Sequence, residues 1–89
     1  MTGRITTSAD GFGGPVKRSL TIAGHPTSLS LEPAFWDALE HTARALNLPI
    51  SAIVAEIDAQ RIMTPAPSNL ASAMRVWLFT QRLNATDSQ

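Results

Sequence analysis

The segment from Arg18 to Leu31 constrains the fold most, because its apolar and polar side chains alternate with a period of two. The alternation is interrupted by Ala-Gly-His-Pro at residues 23–26, which has the composition of a turn. Two short strands are therefore predicted, at residues 18–22 and 27–31.

The two predicted strands match each other in register as a hairpin. If residues 23–26 form its loop, Ile22 lies opposite Thr27 and Leu20 lies opposite Leu29, with Arg18 opposite Leu31 at the far end. The pattern leaves open whether the strands pair within one chain or whether residues 27–31 pair with their copy in a second chain. One face of this ribbon is apolar (Leu20, Ile22, Leu29, Leu31) and the other is polar (Ser19, Thr21, Ser28, Ser30).

Three helices are predicted after the ribbon. Pro33 is favoured at the first helical position, and the first helix ends at Asn-Leu-Pro, residues 47–49. Ser51 is predicted to cap a second helix that ends near Arg61, and Ser68 to cap a third. The inward positions of the third helix are expected to be Leu70, Ala73, Met74, Trp77, Leu78 and Gln81.

The length of the chain points to self-association. A domain of 89 residues buries only ~60–65% of the surface that its unfolded chain exposes, and a chain without cysteine has no disulfides to compensate. We expect residues 1–16 to be a flexible arm, residues 17–83 to form the domain and residues 84–89 to be a frayed tail. No stretch has the ~20 apolar residues that cross a bilayer, so a cytoplasmic protein is expected, with no membrane association.

Neither catalysis nor a metal site is expected from the side chains. The sequence has no GxSxG motif and no glycine loop of the kind that binds phosphate, so we expect no enzyme activity and no cofactor. His25 and His41 lack the spacing of metal ligands, and His25 is interpreted as a turn residue. The formal net charge is zero, but basic side chains exceed acidic ones in residues 1–31 and 61–89, and acidic ones dominate residues 32–60. An anionic partner should therefore meet the first or the last third of the chain.

Three blocks of sequence resemble the ribbon-helix-helix superfamily of Arc/MetJ-type repressors. The blocks KRSLTIAGHPTSLSLEPAFWDAL, LPISAIVAEID and NLASAMRVWL together are similar to short bacterial proteins with such a domain and an added C-terminal helix. The resemblance implies a mainly α fold with a short β ribbon, built as a homodimer in which each ribbon strand pairs with its twofold mate. It also implies a transcriptional regulator that places the ribbon in the DNA major groove.

Basic residues near the ribbon and positions carried over from the resemblance together predict the DNA contacts. Lys17 and Arg18 lie at the base of the ribbon, where they would contact phosphates; their alternative role is to protect a strand edge from aggregation. By the resemblance, the base-reading positions would be Pro26, Ser28 and Ser30, and a phosphate clamp would be formed by Ser51, Ala52 and Ile53. Two serines and a proline recognise bases poorly, because specific contacts usually need long donor side chains.

The aromatic residues favour a second possible function. Trp77 and Phe79 are two positions apart and point ~200° away from each other on a helix, so one of them must leave the core of its own chain. The alternative function is therefore a protein-interaction module on the same scaffold, which docks a partner protein through its third helix.

Overall fold

A computed structural model describes residues 13–87 as a two-stranded antiparallel ribbon and three helices. The fold confirms the predicted mainly α class with a short β ribbon and an added third helix. Residues 1–12 of the predicted arm lie outside the described residues, and the division of the chain into arm, domain and tail stays a prediction. The elements are β1 (Val16–Ile22), β2 (His25–Leu31), α1 (Pro33–Leu46), α2 (Ile50–Ile62) and α3 (Leu70–Asp87).

The two strands pair within one chain, through a shorter turn than the sequence predicts. Ile22 lies opposite His25 and Leu20 opposite Thr27, so the predicted register is wrong by two residues. The turn consists of Ala23 and Gly24, whose φ angles of 52° and 83° are both positive. Positive φ at both central residues is typical of the type I′ turn, whose twist matches that of the flanking strands. Residue 25 is therefore a strand residue, and its interpretation as a turn residue is also wrong.

The predicted division of the ribbon into two faces is confirmed. A shift of two residues leaves every side chain on its own face, because the side chains of a strand alternate with a period of two. Ile22, Leu29 and Leu31 are buried, and Leu20 packs beside them. These residues join the helices in one core, whose fully buried members from the helices are Trp36, Leu39, Val54 and Met74.

The bounds of the first two helices follow from the backbone conformations of the residues next to them. α1 begins at Pro33 as predicted, and it ends at Leu46 because the following residue, Asn47, has a left-handed φ of 58°. α2 is capped by Pro49 and already includes Ser51, so the prediction that Ser51 is its N-cap is wrong. The physical reason is that Pro49, in an extended conformation, offers its carbonyl to the first turn, as the N-cap residue does.

The third helix is capped by Asn69, so the prediction that Ser68 caps it is wrong. The Asn69 Oδ1 atom accepts a hydrogen bond of 2.8 Å from the backbone amide of Ser72, which is the bond that an N-cap side chain makes. Arg75 then ties α3 to the start of α1, because its guanidinium donates two hydrogen bonds of 2.9 and 3.1 Å to the Glu32 carboxylate. Trp77 is half-buried and Phe79 is 64% exposed, which confirms that one of these aromatics leaves the core.

Candidate nucleic-acid interface

The outer face of the hairpin brings four of the predicted site residues together. Lys17 lies opposite Ser30, and Thr21 lies opposite Pro26. Ser28 completes the predicted set on the same face, and all of these side chains are exposed except that of Ser30, which is partly covered. Alternation along each strand accounts for this grouping, because residues 17, 19 and 21 face the same way as residues 26, 28 and 30.

Two residues that the sequence-based site left out also belong to this face. Ser19 lies opposite Ser28 at the centre of the hairpin, and Thr21 lies near the turn. The alternating pattern already placed both on the polar face, and that signal was sufficient to include them. The six outward residues contain one cation, three serines, one threonine and one proline, and none of the six carries a carboxylate.

Arg18 lies on the other face of the ribbon and is held against α1. Its guanidinium carbon lies 4.4 Å from the centroid of the Trp36 ring, and its Nη1 atom lies 3.1 Å from Glu40 Oε2. The Trp36 indole in turn donates a hydrogen bond of 2.9 Å to the backbone carbonyl of Val16. The structure therefore separates Arg18 from Lys17, and Arg18 fastens the ribbon to the first helix.

The carboxylates nearest to the ribbon are paired with arginines. The hydrogen bonds from Arg75 hold the pKa of Glu32 below its usual range, so Glu32 is ionised at neutral pH. Glu40 forms the ion pair with Arg18. Each ion pair cancels one negative charge, and Arg18 lies on the opposite face of the ribbon from Lys17. The repulsion that unpaired carboxylates would exert on phosphate is reduced accordingly.

The start of α2 presents free amides, and Ser51 is the one of the three predicted clamp residues that contributes one. The amides of Ala52 and Ile53 donate to the Pro49 carbonyl at 3.1 and 3.3 Å. Within residues 13–87, the amides of Ile50 and Ser51 are the α2 donors left without a partner. The first turn carries no acidic residue, and the positive end of the helix dipole adds to the attraction for an anion. The sequence-based assignment missed Ile50 because it placed the helix start two residues too late.

The outer edge of β2 is a second place where backbone amide and carbonyl groups are available for bonding. In a hairpin with a two-residue turn, the residues that flank the turn form a hydrogen-bonded pair, and the pair type then alternates along the ladder. By this rule the amide and carbonyl groups of Ser28 and Ser30 point away from β1. Pro26 occupies the same type of position, where its missing N–H costs no bond to β1.

The described part of the chain has neither a metal-binding cluster nor a membrane span. Across residues 13–87, no group of three or more histidine, cysteine, aspartate or glutamate side chains could hold a metal ion. In the same range, no helix combines the length and the apolar character that a membrane span requires.

Comparison with known proteins identifies one family. A family model described as a ribbon-helix-helix domain matches residues 15–82, which is most of the chain. No curated protein and no solved structure matches the sequence.

Proposed function

The chain belongs to the ribbon-helix-helix domain family, and from that premise we propose that it is a homodimeric DNA-binding protein and a transcriptional regulator. The observation that carries the proposal is the polar outer face of the ribbon, which has Lys17 and no carboxylate. We expect it to work in the cytoplasm, where DNA is accessible in a bacterial cell.

We propose that the dimer forms along the free edge of β2. With Leu29 on the twofold axis, Ser28 of one chain pairs with residue 30 of its mate, and Ser30 pairs with residue 28. Each of these two pairs exchanges two backbone hydrogen bonds, which gives four bonds across the axis. A register centred on Ser28 is poorer, because it would place Pro26 in a hydrogen-bonded pair without an N–H to donate. The dimer would therefore contain a four-stranded sheet in the order β1, β2, β2, β1.

The width of that sheet determines how it meets DNA. Four strands at ~4.8 Å spacing span ~14 Å between the outer strands, whereas the major groove is ~12 Å wide. The central β2 pair therefore enters the groove, and the β1 strands lie at its rims beside the phosphates. In this arrangement Ser28 and Ser30 contact the bases, and Lys17 contacts the phosphates of the DNA.

The side chains predict binding that depends more on phosphates than on bases. Serine makes single hydrogen bonds to several bases, without the bidentate geometry that distinguishes one base pair from another. Lys17 and the amides of Ile50 and Ser51 bind phosphate regardless of sequence. The proposed regulator would thus show moderate sequence preference and a clear dependence on salt.

A salt titration tests this proposal. Binding of a labelled DNA duplex is measured by fluorescence anisotropy for the wild type and for Lys17→Ala at several salt concentrations. Each phosphate that the protein neutralises adds ~0.9 to the slope of log K against log salt, so removing Lys17 from both chains of the dimer should reduce the slope by ~1.8. Arg44→Ala, at the exposed end of α1, is the matched control and should keep the slope. An unchanged slope for Lys17→Ala, or no binding at low salt, would contradict the proposal.

A further inference from the structure

A groove of about 620 Å³ lies between α1 and α3, on a different surface from the polar face of the ribbon. Its α1 wall consists mainly of small side chains, and Phe79 and Leu78 stand on its α3 wall. His41 and Arg82 are the titratable residues among those that line it, so its surface is largely uncharged. A groove of this kind is suited to an apolar occupant.

The α3 helix places large apolar side chains beside the groove. Phe79 lines the groove, and Leu83 lies one turn further along the same side of the helix, at i+4 from it. Phe79 is 64% exposed and Leu83 is 49% exposed. Leu46, at the end of α1, is exposed to a similar degree and lines the groove itself. Three large apolar residues thus lie in or beside the groove.

The α1 helix offers a complementary seam of small residues. Ala34, Ala38 and Ala45 are spaced at i, i+4 and i+11, with His41 at i+7 between them, which is the spacing of a helix face that packs against another helix. Large side chains of one helix fit between small side chains of another. One surface therefore carries both the protruding and the receiving half of a helix contact, as a twofold interface requires.

The exposed apolar area agrees with a contact between two copies. With ~200 Å² for a whole phenylalanine and ~100 Å² for a leucine, the three large residues expose roughly 230 Å² per copy. Two copies would bury roughly 450 Å² from these side chains, more than a third of the ~1,200 Å² that specific interfaces bury. The walls of the groove would supply the remainder.

We propose that this groove binds a second copy of the chain, with Phe79 of each copy seated against the α1 small-residue seam of the other. The contact forms a four-helix interface from α1 and α3 of both copies. It is separate from the pairing of β2 edges, so a protein that uses both contacts assembles beyond a dimer. The largely uncharged lining favours this occupant over a strongly charged partner protein.

Sedimentation equilibrium of the full-length chain tests the contact. Phe79→Glu places a charge on the protruding half, and Ala45→Glu places one on the receiving half. Both positions are exposed in the single chain, so neither change should unfold it, which circular dichroism will verify. Each variant should have half the molar mass of the wild type. Met63→Glu, at an exposed apolar position at the end of α2, is the matched control and should keep the wild-type mass.

A further variant separates this contact from the ribbon pairing. Ser28→Pro removes an amide from the free edge of β2 and leaves the groove intact. If Phe79→Glu halves the mass while Ser28→Pro does not change it, the groove contact holds and the ribbon pairing fails.

Two results would overturn the groove contact. The first is a wild type that sediments as a monomer. The second is a wild-type mass that neither Phe79→Glu nor Ala45→Glu changes. If the unchanged mass comes with loss of binding of a hydrophobic dye or a partner protein in both variants, the groove serves another occupant.

Discussion

Replacing Trp36 with phenylalanine tests how the ribbon is fixed to the helices. The Trp36 indole is 1% exposed, donates to the Val16 carbonyl at 2.9 Å and carries the Arg18 guanidinium over its ring. Phenylalanine keeps an aromatic ring but removes the donor and leaves a cavity. Removal of the hydrogen bond costs about 1 kcal/mol, and the poorer packing costs about 1–2 kcal/mol more. We therefore expect Trp36→Phe to reduce the free energy of unfolding by about 2–3 kcal/mol.

The contribution of Arg18 can be separated by a double-mutant cycle. Arg18→Ala removes both the ring contact and the ion pair with Glu40, whose side chains are 44% and 39% exposed. Ion pairs exposed to this extent contribute only ~0–1 kcal/mol. The coupling between Trp36→Phe and Arg18→Ala should be at most about 0.5 kcal/mol, because phenylalanine retains part of the cation-π attraction.

Urea unfolding followed by circular dichroism measures these free energies. All variants must be compared at one protein concentration, because association adds to the apparent stability. Trp77→Phe is the matched control, since Trp77 is only partly buried and its replacement should destabilise the fold less than that of Trp36. A decrease below about 0.5 kcal/mol for Trp36→Phe would refute the role assigned to the indole contacts.

Three further outcomes follow from the turn, a helix cap and an ion pair. Ala23→Asn should raise the free energy of unfolding in urea by about 0.5–1 kcal/mol, because asparagine tolerates the left-handed φ of 52° better than alanine and precedes Gly24, as type I′ turns prefer. Asn69→Ala should lower it by about 1 kcal/mol by removing the α3 cap. Because Arg75 lowers the pKa of Glu32 in the folded protein, the stability from this pair is present above pH 4.5 and disappears as the pH falls through the folded pKa; Glu32→Gln should flatten that part of the pH profile of unfolding.

Each of these outcomes has a result that contradicts it. A destabilised Ala23→Asn variant would show that the turn is not of the I′ type. An Asn69→Ala variant with unchanged stability would mean that the Asn69 side chain does not cap α3. If Glu32→Gln kept the acid sensitivity of the wild type, that sensitivity would come from other carboxylates.

The periodic features of the fold could be predicted from the sequence, and the local backbone geometry could not. The two faces of the ribbon were predictable because alternation survives a shift of two residues. The turn length was not, because alanine rarely adopts a left-handed φ and residues 23–26 all looked like turn residues. Pro49 caps α2 and Asn69 caps α3, whereas Ser51 and Ser68 were predicted. Serine is a common N-cap, so the sequence alone does not distinguish it from the residues that cap these helices.

The candidate site was predictable only where it follows the strand pattern. Lys17, Ser28 and Ser30 share a face because they alternate correctly along their strands. The role of Arg18 depends on Trp36 and Glu40, which approach it only in the folded chain. Contacts between residues far apart in the sequence are set by packing, and a single sequence has no local signal for them.

The central claim is that the outer face of the paired ribbon and the start of α2 bind DNA. Its most direct test is an NMR titration of the ¹⁵N-labelled protein with a DNA duplex at low salt. The amides of Lys17, Ser28, Ser30, Ile50 and Ser51 should show the largest shift changes. If the changes instead cluster on α1 and α3, or if no shifts change at low salt, the claim is wrong.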